Sequence, residues 1–269
     1  MYGNISMSPL VFTTDKFRLF EHFKKDPILF GYHIGDLDDF YFEHCQWGVS
    51  YPQMPRIEEA ILVYSGGHVP SVLAFGLTDK FDDLLKEMLP LLPPKFHSHF
   101  NDSSRHVFLN SYSEKSLGTY QKMKLIDFNP QPCADTTGKI IRLDDSHKIT
   151  LLQFYKESYP GNYFHDRMLA SGKYFGCFEN NSLLSVAGVH VYSREYKIAV
   201  LGNIATHPDH RGNRLAAILT SHLIEELSNE GLLVALNVKC DNEYAIRCYE
   251  KLGFQKQCEY EESLFSLTV

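Results

Sequence analysis

From Lys139 onward the spacing of apolar positions alternates between two periods. "KIIRL" is a short strand-like run. "DDSHKITLLQFYKESY" follows, with aspartates ahead of helically spaced apolar residues, and predicts a capped helix. "YFHDRMLASG" predicts a shorter helix closed by Gly172. "KYFGCFE" and "LLSVAGVHVYS" predict two strands joined through Asn180, Asn181 and Ser182, because asparagine tolerates the positive φ that tight hairpins need. "KIAVLGNIAT" is a further strand. A long helix is expected from about Arg211 to Asn229, with Leu215, Ile218, Leu219, Leu223 and Leu227 on one face and Gly231 at its C-terminal cap. "LLVALNVK" reads as a buried strand. "DNEYAIRCYEKLG" reads as a helix with Ala245, Cys248, Tyr249 and Leu252 on its apolar face. The tail "QKQCEYEESLFSLT" suggests a final hairpin or pair of strands. The order β-α-α-β-β-β-α-β-α-β predicts an α/β protein with a mixed sheet and helices on its faces.

The N-terminal part has a fainter pattern. "DKFRLFEHFKK" is helical, "AILVYSGGHVPSVLAFGL" predicts a hairpin turning at Gly66-Gly67, and "DKFDDLLKEMLPLL" predicts a helix stopped by Pro93-Pro94. The stretch Phe128–Lys139, with two prolines, a glycine and small polar residues, marks a boundary between domains at 1–130 and 139–269. "TYQKMKLIDF" from Thr119 matches "CYEKLGFQKQ" from Cys248 at an offset of 129 residues, which suggests a decayed duplication.

Composition narrows the function classes. The 269 residues are 44% apolar, yet no apolar run has the length of a membrane helix, and "MYGNISMSPLVFTTDKF" lacks the pattern of a secretory signal. Six scattered cysteines without C-x-x-C fit reduced thiols in the cytoplasm. A formal net charge of −7 argues against non-specific nucleic-acid binding. His97 and His99 share a strand face, but no third metal ligand accompanies them, so no metal is expected. The aspartates of "GDLDDF", Gly35–Phe40, suit a solvated helix start.

Chemistry concentrates in "ATHPDHRGNRLA", Ala205–Ala216. Pro208 ends the preceding strand, and Asp209 is a possible cap. The first amides of a helix lack internal partners and sit at the positive end of its dipole, so they attract anions. Gly212 lets the backbone approach a ligand, and Arg211 and Arg214 add charges suited to phosphate oxygens. A phosphate or pyrophosphate site is one reading; a capped surface helix is the other.

The string resembles motif A of the GNAT superfamily, the acetyl-CoA-dependent N-acetyltransferases, with Arg211 and Ala216 at the motif's ends. "DNEYAIRCYEKLGF" resembles motif B, with Asn242, Ala245 and Tyr249 in step. The resemblance covers about residues 139–269. It implies a GNAT fold, in tandem with a degenerate N-terminal copy that walls the acceptor pocket. It also implies a reaction between acetyl-CoA and an amine acceptor. Main-chain groups of Ile204, Ala205 and Thr206 would hold the acetyl carbonyl and pantetheine arm. Amides of Arg211, Gly212, Asn213, Arg214, Leu215 and Ala216 would hold the pyrophosphate. Asn242 would touch the coenzyme arm, and Tyr249 would protonate the departing thiolate.

Two departures stand out. Arg214 replaces the usual glycine, at a place where a helical first turn would tolerate it. The strand before motif A has no carboxylate, which leaves His190 on the neighbouring strand as the candidate base; Asn203 could orient a water. A non-catalytic acetyl-CoA-binding module and an acyltransferase using a longer acyl-CoA are the alternatives.

Overall fold

The computed structural model describes residues 10–51, 56–132, 138–164 and 166–268. Residues 133–137 of the expected boundary, His165 of the short helix and the first nine residues of the chain lie outside the described residues. The chain divides into two compact units, Met1–Gln121 with Cys258–Val269, and Lys122–Gln257. The division therefore differs from a single cut at 130 to 139, because the end of the chain belongs to the first unit.

In the first unit, β1 (Val11–Phe12), α1 (Lys16–Phe23), α2 (Gly31–Gly35) and α3 (Asp39–Phe42) precede three strands, β2 (Cys45–Ser50), β3 (Glu59–Tyr64) and β4 (Ser71–Ala74). Next come α4 (Phe81–Met88), β5 (Lys95–Phe100), α5 (Arg105–Phe108) and β6 (Tyr112–Leu125). Strands β1 to β4 pair antiparallel in chain order, and β4 pairs parallel with β5. The helix expected to run to Pro93 becomes a 3-10 turn at Leu89–Leu91, where Pro90 removes a helical donor. Asp36 of "GDLDDF" is buried rather than solvated, and burial pushes its carboxyl well above the ordinary range.

The second unit repeats this order: β7 (Lys139–Arg142), α6 (Lys148–Ser158), β8 (Phe175–Glu179), β9 (Ser182–Ser193), β10 (Ile198–Thr206), α7 (Leu215–Asn229), β11 (Leu233–Lys239) and α8 (Glu243–Lys251). β12 (Phe254–Leu267) follows as one continuous strand instead of a hairpin. In the first unit Glu261–Ser266 of this strand pair with β5. The pairings of β7 through β11 mirror those of β1 through β5, with β10 and β11 again parallel.

The strand order and pairing thus repeat between the units, with α1 to α3 standing where the second unit has α6, but not through the residues that suggested a duplication. Thr119 and Tyr120 lie on strand β6, whereas Cys248 and Tyr249 lie on helix α8, so that match is a coincidence of side chains.

Local chemistry accounts for most element ends. Asn180 and Asn181, at φ 49° and 65°, turn the β8–β9 hairpin. Asp144 and His147 form a reciprocal cap ahead of α6. The segment expected as a short helix is a 3-10 turn, Asp166–Ser171, closed by Gly172 at φ 65°. The core of the second unit gathers α7 residues Leu219, Leu223 and Leu227 against Val186, Val189, Leu201 and Leu236 of the sheet. No helix among the described residues is long and apolar enough to cross a membrane.

Candidate active site

The parallel ladder between β10 and β11 runs from Ile198↔Leu233 to Leu201↔Leu236 and stops, although β10 continues to Thr206 and β11 to Lys239. Two bulges accompany the parting. On β9, Val191 faces Val200 and Val189 faces Leu201, leaving His190 as the extra residue. On β10, Gly202 faces Gly188 but Ala205 faces Val186, which inserts one residue where Asn203 adopts φ 54°. Gly188 and Gly202 face each other because there is no room for more. A Cβ on Gly188 would run into the Tyr174 ring, and one on Gly202 into the His190 ring.

The bulged residues sit in a polar network. Tyr155 Oη donates to the Asn203 carbonyl at 2.6 Å, and Tyr174 Oη donates to Val189 O at 2.9 Å. Asn203 Nδ2 donates to Tyr174 Oη at 2.9 Å and to Tyr163 O at 3.3 Å. Burial lifts the Tyr155 and Tyr174 phenols above their ordinary range. Burial lowers His190 to about 4, against a smaller opposing effect of the Asn203 side chain. The imidazole is therefore neutral near pH 7 and holds a proton weakly.

Beyond the bulge, Ile204, Ala205 and Thr206 are half-buried. Ser185 Oγ donates to Ala205 O at 2.9 Å and meets Thr206 Oγ1 at 2.9 Å. Pro208–His210 then form a 3-10 turn capped by His207, whose Nδ1 accepts from Asp209 N at 3.3 Å; Asp209 itself is not the cap.

The loop ahead of α7 differs from the expected helical start. Gly212 is at φ 85° and Arg214 at φ 61°, so α7 begins at Leu215, not Arg211. A left-handed arginine costs about 1–2 kcal/mol relative to glycine, so Arg214 strains the backbone where a helical turn would have accepted it. Open space surrounds the position a Cβ would take at Gly212. The first helical bond runs from Ile218 N to Arg214 O at 3.1 Å, so the amides of Leu215, Ala216 and Ala217 precede the helical ladder.

The arginines brace this loop. Arg211 Nε reaches Thr206 O at 3.3 Å and a terminal nitrogen reaches Ser158 O at 3.4 Å, while Arg214 donates to Gln131 Oε1 at 2.6 Å. Asn213 Nδ2 donates to His210 O at 3.3 Å.

On α8, Asn242 Oδ1 caps the helix by accepting from Ala245 N at 3.2 Å. Tyr249 is 9% exposed; burial, with smaller contributions from Cys248 and Tyr159, holds its phenol above the ordinary range. In the other unit, His99 meets Glu262 at 3.3 Å and packs on the rings of Tyr32 and Tyr260.

The sequence does not single out Tyr155, Tyr163 or Tyr174. Their link to Asn203 depends on two bulges, and bulges leave no periodic signal. The one available hint is "GNI", a glycine and an asparagine inside an otherwise apolar strand.

Residues 142–254 match the model of the acetyltransferase (GNAT) family. A [ribosomal protein bS18]-alanine N-acetyltransferase of Salmonella typhimurium is 42% identical over 59 residues, which are 22% of this chain and 40% of that protein. The chain thus spans about 40% of the length of the curated relatives it matches. Among solved structures, a Drosophila protein shares the fold with a TM-score of 0.74 at 13% identity, covering 97% of this chain and 99% of that one. A tandem GNAT protein from the clavulanic acid biosynthesis pathway has a TM-score of 0.58 at 12% identity, covering 95% and 98%.

Proposed function

Residues 142–254 are a domain of the acetyltransferase (GNAT) family, and on that premise we propose that the chain transfers the acetyl group of acetyl-CoA to a primary amine. One observation carries the reading. β10 and β11 part beyond Leu201 and Leu236, ahead of an open left-handed loop and the start of α7. An extended ligand pairs with such a strand end as an added strand would, and a phosphate suits the loop.

Acetyl-CoA, when bound, supplies a thioester and a pyrophosphate. Amides of Gly212 to Ala216 hold the pyrophosphate, with Gly212 allowing close approach; the Arg211 amide, expected among them, already donates to Pro208 O at 3.3 Å. The Arg211 side chain acts by bracing the loop through Thr206 O and Ser158 O. Main-chain groups of Ile204, Ala205 and Thr206 hold the pantetheine arm and polarise the acetyl carbonyl, so that negative charge developing on its oxygen meets fixed N–H dipoles. Asn242 keeps its Oδ1 on the helix cap and offers Nδ2 to the coenzyme arm.

The amine lone pair forms the C–N bond, the C–S bond breaks, and its electron pair goes to sulfur. Tyr249, kept protonated by burial, gives its proton to the thiolate formed against it. The proton released by the new amide nitrogen passes to water, and water reprotonates Tyr249. The cysteine pattern extends the proposal to a cytoplasmic setting.

Calorimetric titration of the full chain with acetyl-CoA, CoA and a pantetheine fragment tests the site. Micromolar binding that is lost with the phosphates supports it, and turnover with an amine panel then tests transfer. Binding without turnover on any amine would favour a sensing module; no binding would sink both.

A further inference from the structure

Strand β11 carries a buried donor that the fold leaves without an acceptor. Asn237 stands one residue past Leu236, the last partner of β10. Its neighbours Leu236 and Val238 lie in the core cluster, so alternation along the strand turns Asn237 to the opposite face. The same alternation turns Gly202 away from the core side of Leu201, and the His190 ring covers it there. Asn237 thus marks the closed end of the cleft between the two parted strands, on the face of the β9 bulge. Among the described residues its Nδ2 is buried and has no hydrogen-bond partner. A buried N–H without an acceptor is destabilising, so one kept at this place calls for an oxygen that the chain itself does not supply.

The direction of the ligand along β10 names that oxygen. The loop proposed for the pyrophosphate, Gly212 to Ala216, follows the far end of β10 at Thr206. An arm that starts on this loop and pairs back along Thr206, Ala205 and Ile204 runs toward the closed end of the cleft. Its acyl end therefore arrives deepest, where the parted stretch of β11 begins at Asn237. An acetyl thioester has a single oxygen, its carbonyl.

We infer that Asn237 Nδ2 donates to this carbonyl oxygen and is a side-chain member of the oxyanion site, beside the main-chain donors of β10. This rests on the proposed acetyl transfer. As the amine lone pair forms the C–N bond, the carbonyl π pair moves onto oxygen; it returns as the C–S pair leaves with sulfur. An N–H fixed against that oxygen is worth more as the charge grows, and exclusion of water enlarges the difference. The amide gives a hydrogen bond and no proton, so Asn237 is neither the acid nor a base.

Asn237→Leu keeps much of the volume and deletes the donor, while Asn237→Asp keeps the shape and offers only an acceptor. The full chain is loaded with acetyl-CoA isotopically labelled at the carbonyl carbon, and infrared difference spectra read the carbonyl stretch of the bound thioester, which needs no acceptor amine. Wild type should hold this band at a lower frequency than either variant. Acetyl-CoA affinity in Asn237→Leu should stay within about threefold, because the bond strengthens mainly after attack. With an amine that wild type acetylates, kcat in Asn237→Leu should fall on the order of a hundredfold at a nearly constant KM for acetyl-CoA. The ligand-free Asn237→Leu protein should melt no lower than wild type, since an unpaired buried donor has been removed. A purely structural amide would behave oppositely, lowering the melting temperature and leaving the band in place. An identical band in wild type and Asn237→Leu, or an undiminished kcat, would overturn the inference. So would loss of acetyl-CoA binding in both variants, which would make Asn237 part of the coenzyme grip or of the fold. Failure of wild type to bind acetyl-CoA would instead strike the proposed function itself.

Discussion

Two parallel strand pairs in this molecule end in opposite ways. β4 and β5 stay paired to the last residue of each, Ala74↔Phe100, and Asn101 Oδ1 then accepts Gly76 N at 2.9 Å. The fully buried Glu59 carboxylate accepts Leu77 N at 3.0 and 3.1 Å and Thr78 N at 2.6 Å, in the turn that leads to α4. β10 and β11 part after Leu201 and Leu236, and the turn to α7 keeps amides ahead of the helical ladder. One repeat satisfies its strand-to-helix turn from within, which stabilises it and leaves little for an anion. In the other, the amides of Leu215, Ala216 and Ala217 precede the helical ladder, and the proposed function gives them a phosphate.

The largest effect expected is on stability under acid, and it touches both repeats. Burial lowers His22 in the first unit and His190 in the second to about 4. Each ring binds a proton more readily unfolded than folded. Above pH 6.5 neither state is protonated and there is no penalty; between about 6.5 and 4 the unfolded chain gains protons and stability falls. The loss from His22 reaches about 3 kcal/mol by pH 4. Urea unfolding across that window should show the slope, and His22→Asn should remove the first unit's share. An unchanged slope would mean that His22 does not titrate as described.

Glu59→Ala should cost about 2–3 kcal/mol by leaving the Leu77 and Thr78 amides without their acceptor. Thermal unfolding measures this, and acetyl-CoA stoichiometry should stay at one per chain. Two sites per chain in the variant would show that the carboxylate alone was closing the first repeat. Tyr249→Phe should lower turnover roughly tenfold or more with acetyl-CoA affinity within a few-fold; undiminished turnover would remove Tyr249 as the acid.

Arg211→Ala should weaken acetyl-CoA binding roughly three- to tenfold, read by calorimetry, because the loop loses its brace on Thr206 and Ser158. Equal affinity would show that the amides hold the loop unaided. The smallest effect belongs to Arg214→Gly. Relief of the left-handed strain should outweigh the lost bond to Gln131 and raise stability by up to about 1 kcal/mol. A fall in melting temperature would mean that the Gln131 bond is worth more than the strain.

Element type and order were legible wherever the signal was local. Apolar spacing along α7, the Asn180-Asn181 turn and the Gly231 cap each depend on neighbours a few residues away, and each appears where the pattern puts it. The motif residues also identified the family of the C-terminal half. Legibility failed where the outcome turned on backbone angles that the residue type disfavours. Nothing about Arg214 announces φ 61°, so the start of α7 was misplaced by four residues' worth of loop, Arg211–Arg214.

The sequence by itself determined the apolar periods of both repeats and the turns that asparagine, glycine and proline permit, because those follow from side-chain spacing and local backbone preference. Only the tertiary structure decided the rest. It set β12 beside β5, drew two bulged residues into one network with Tyr155 and Tyr174, and left one strand pair closed and the other parted. The reason is physical. Strand neighbours, bulge register and the filling of a turn by a distant carboxylate are settled between residues far apart in the chain, where alternation and helical spacing carry no information.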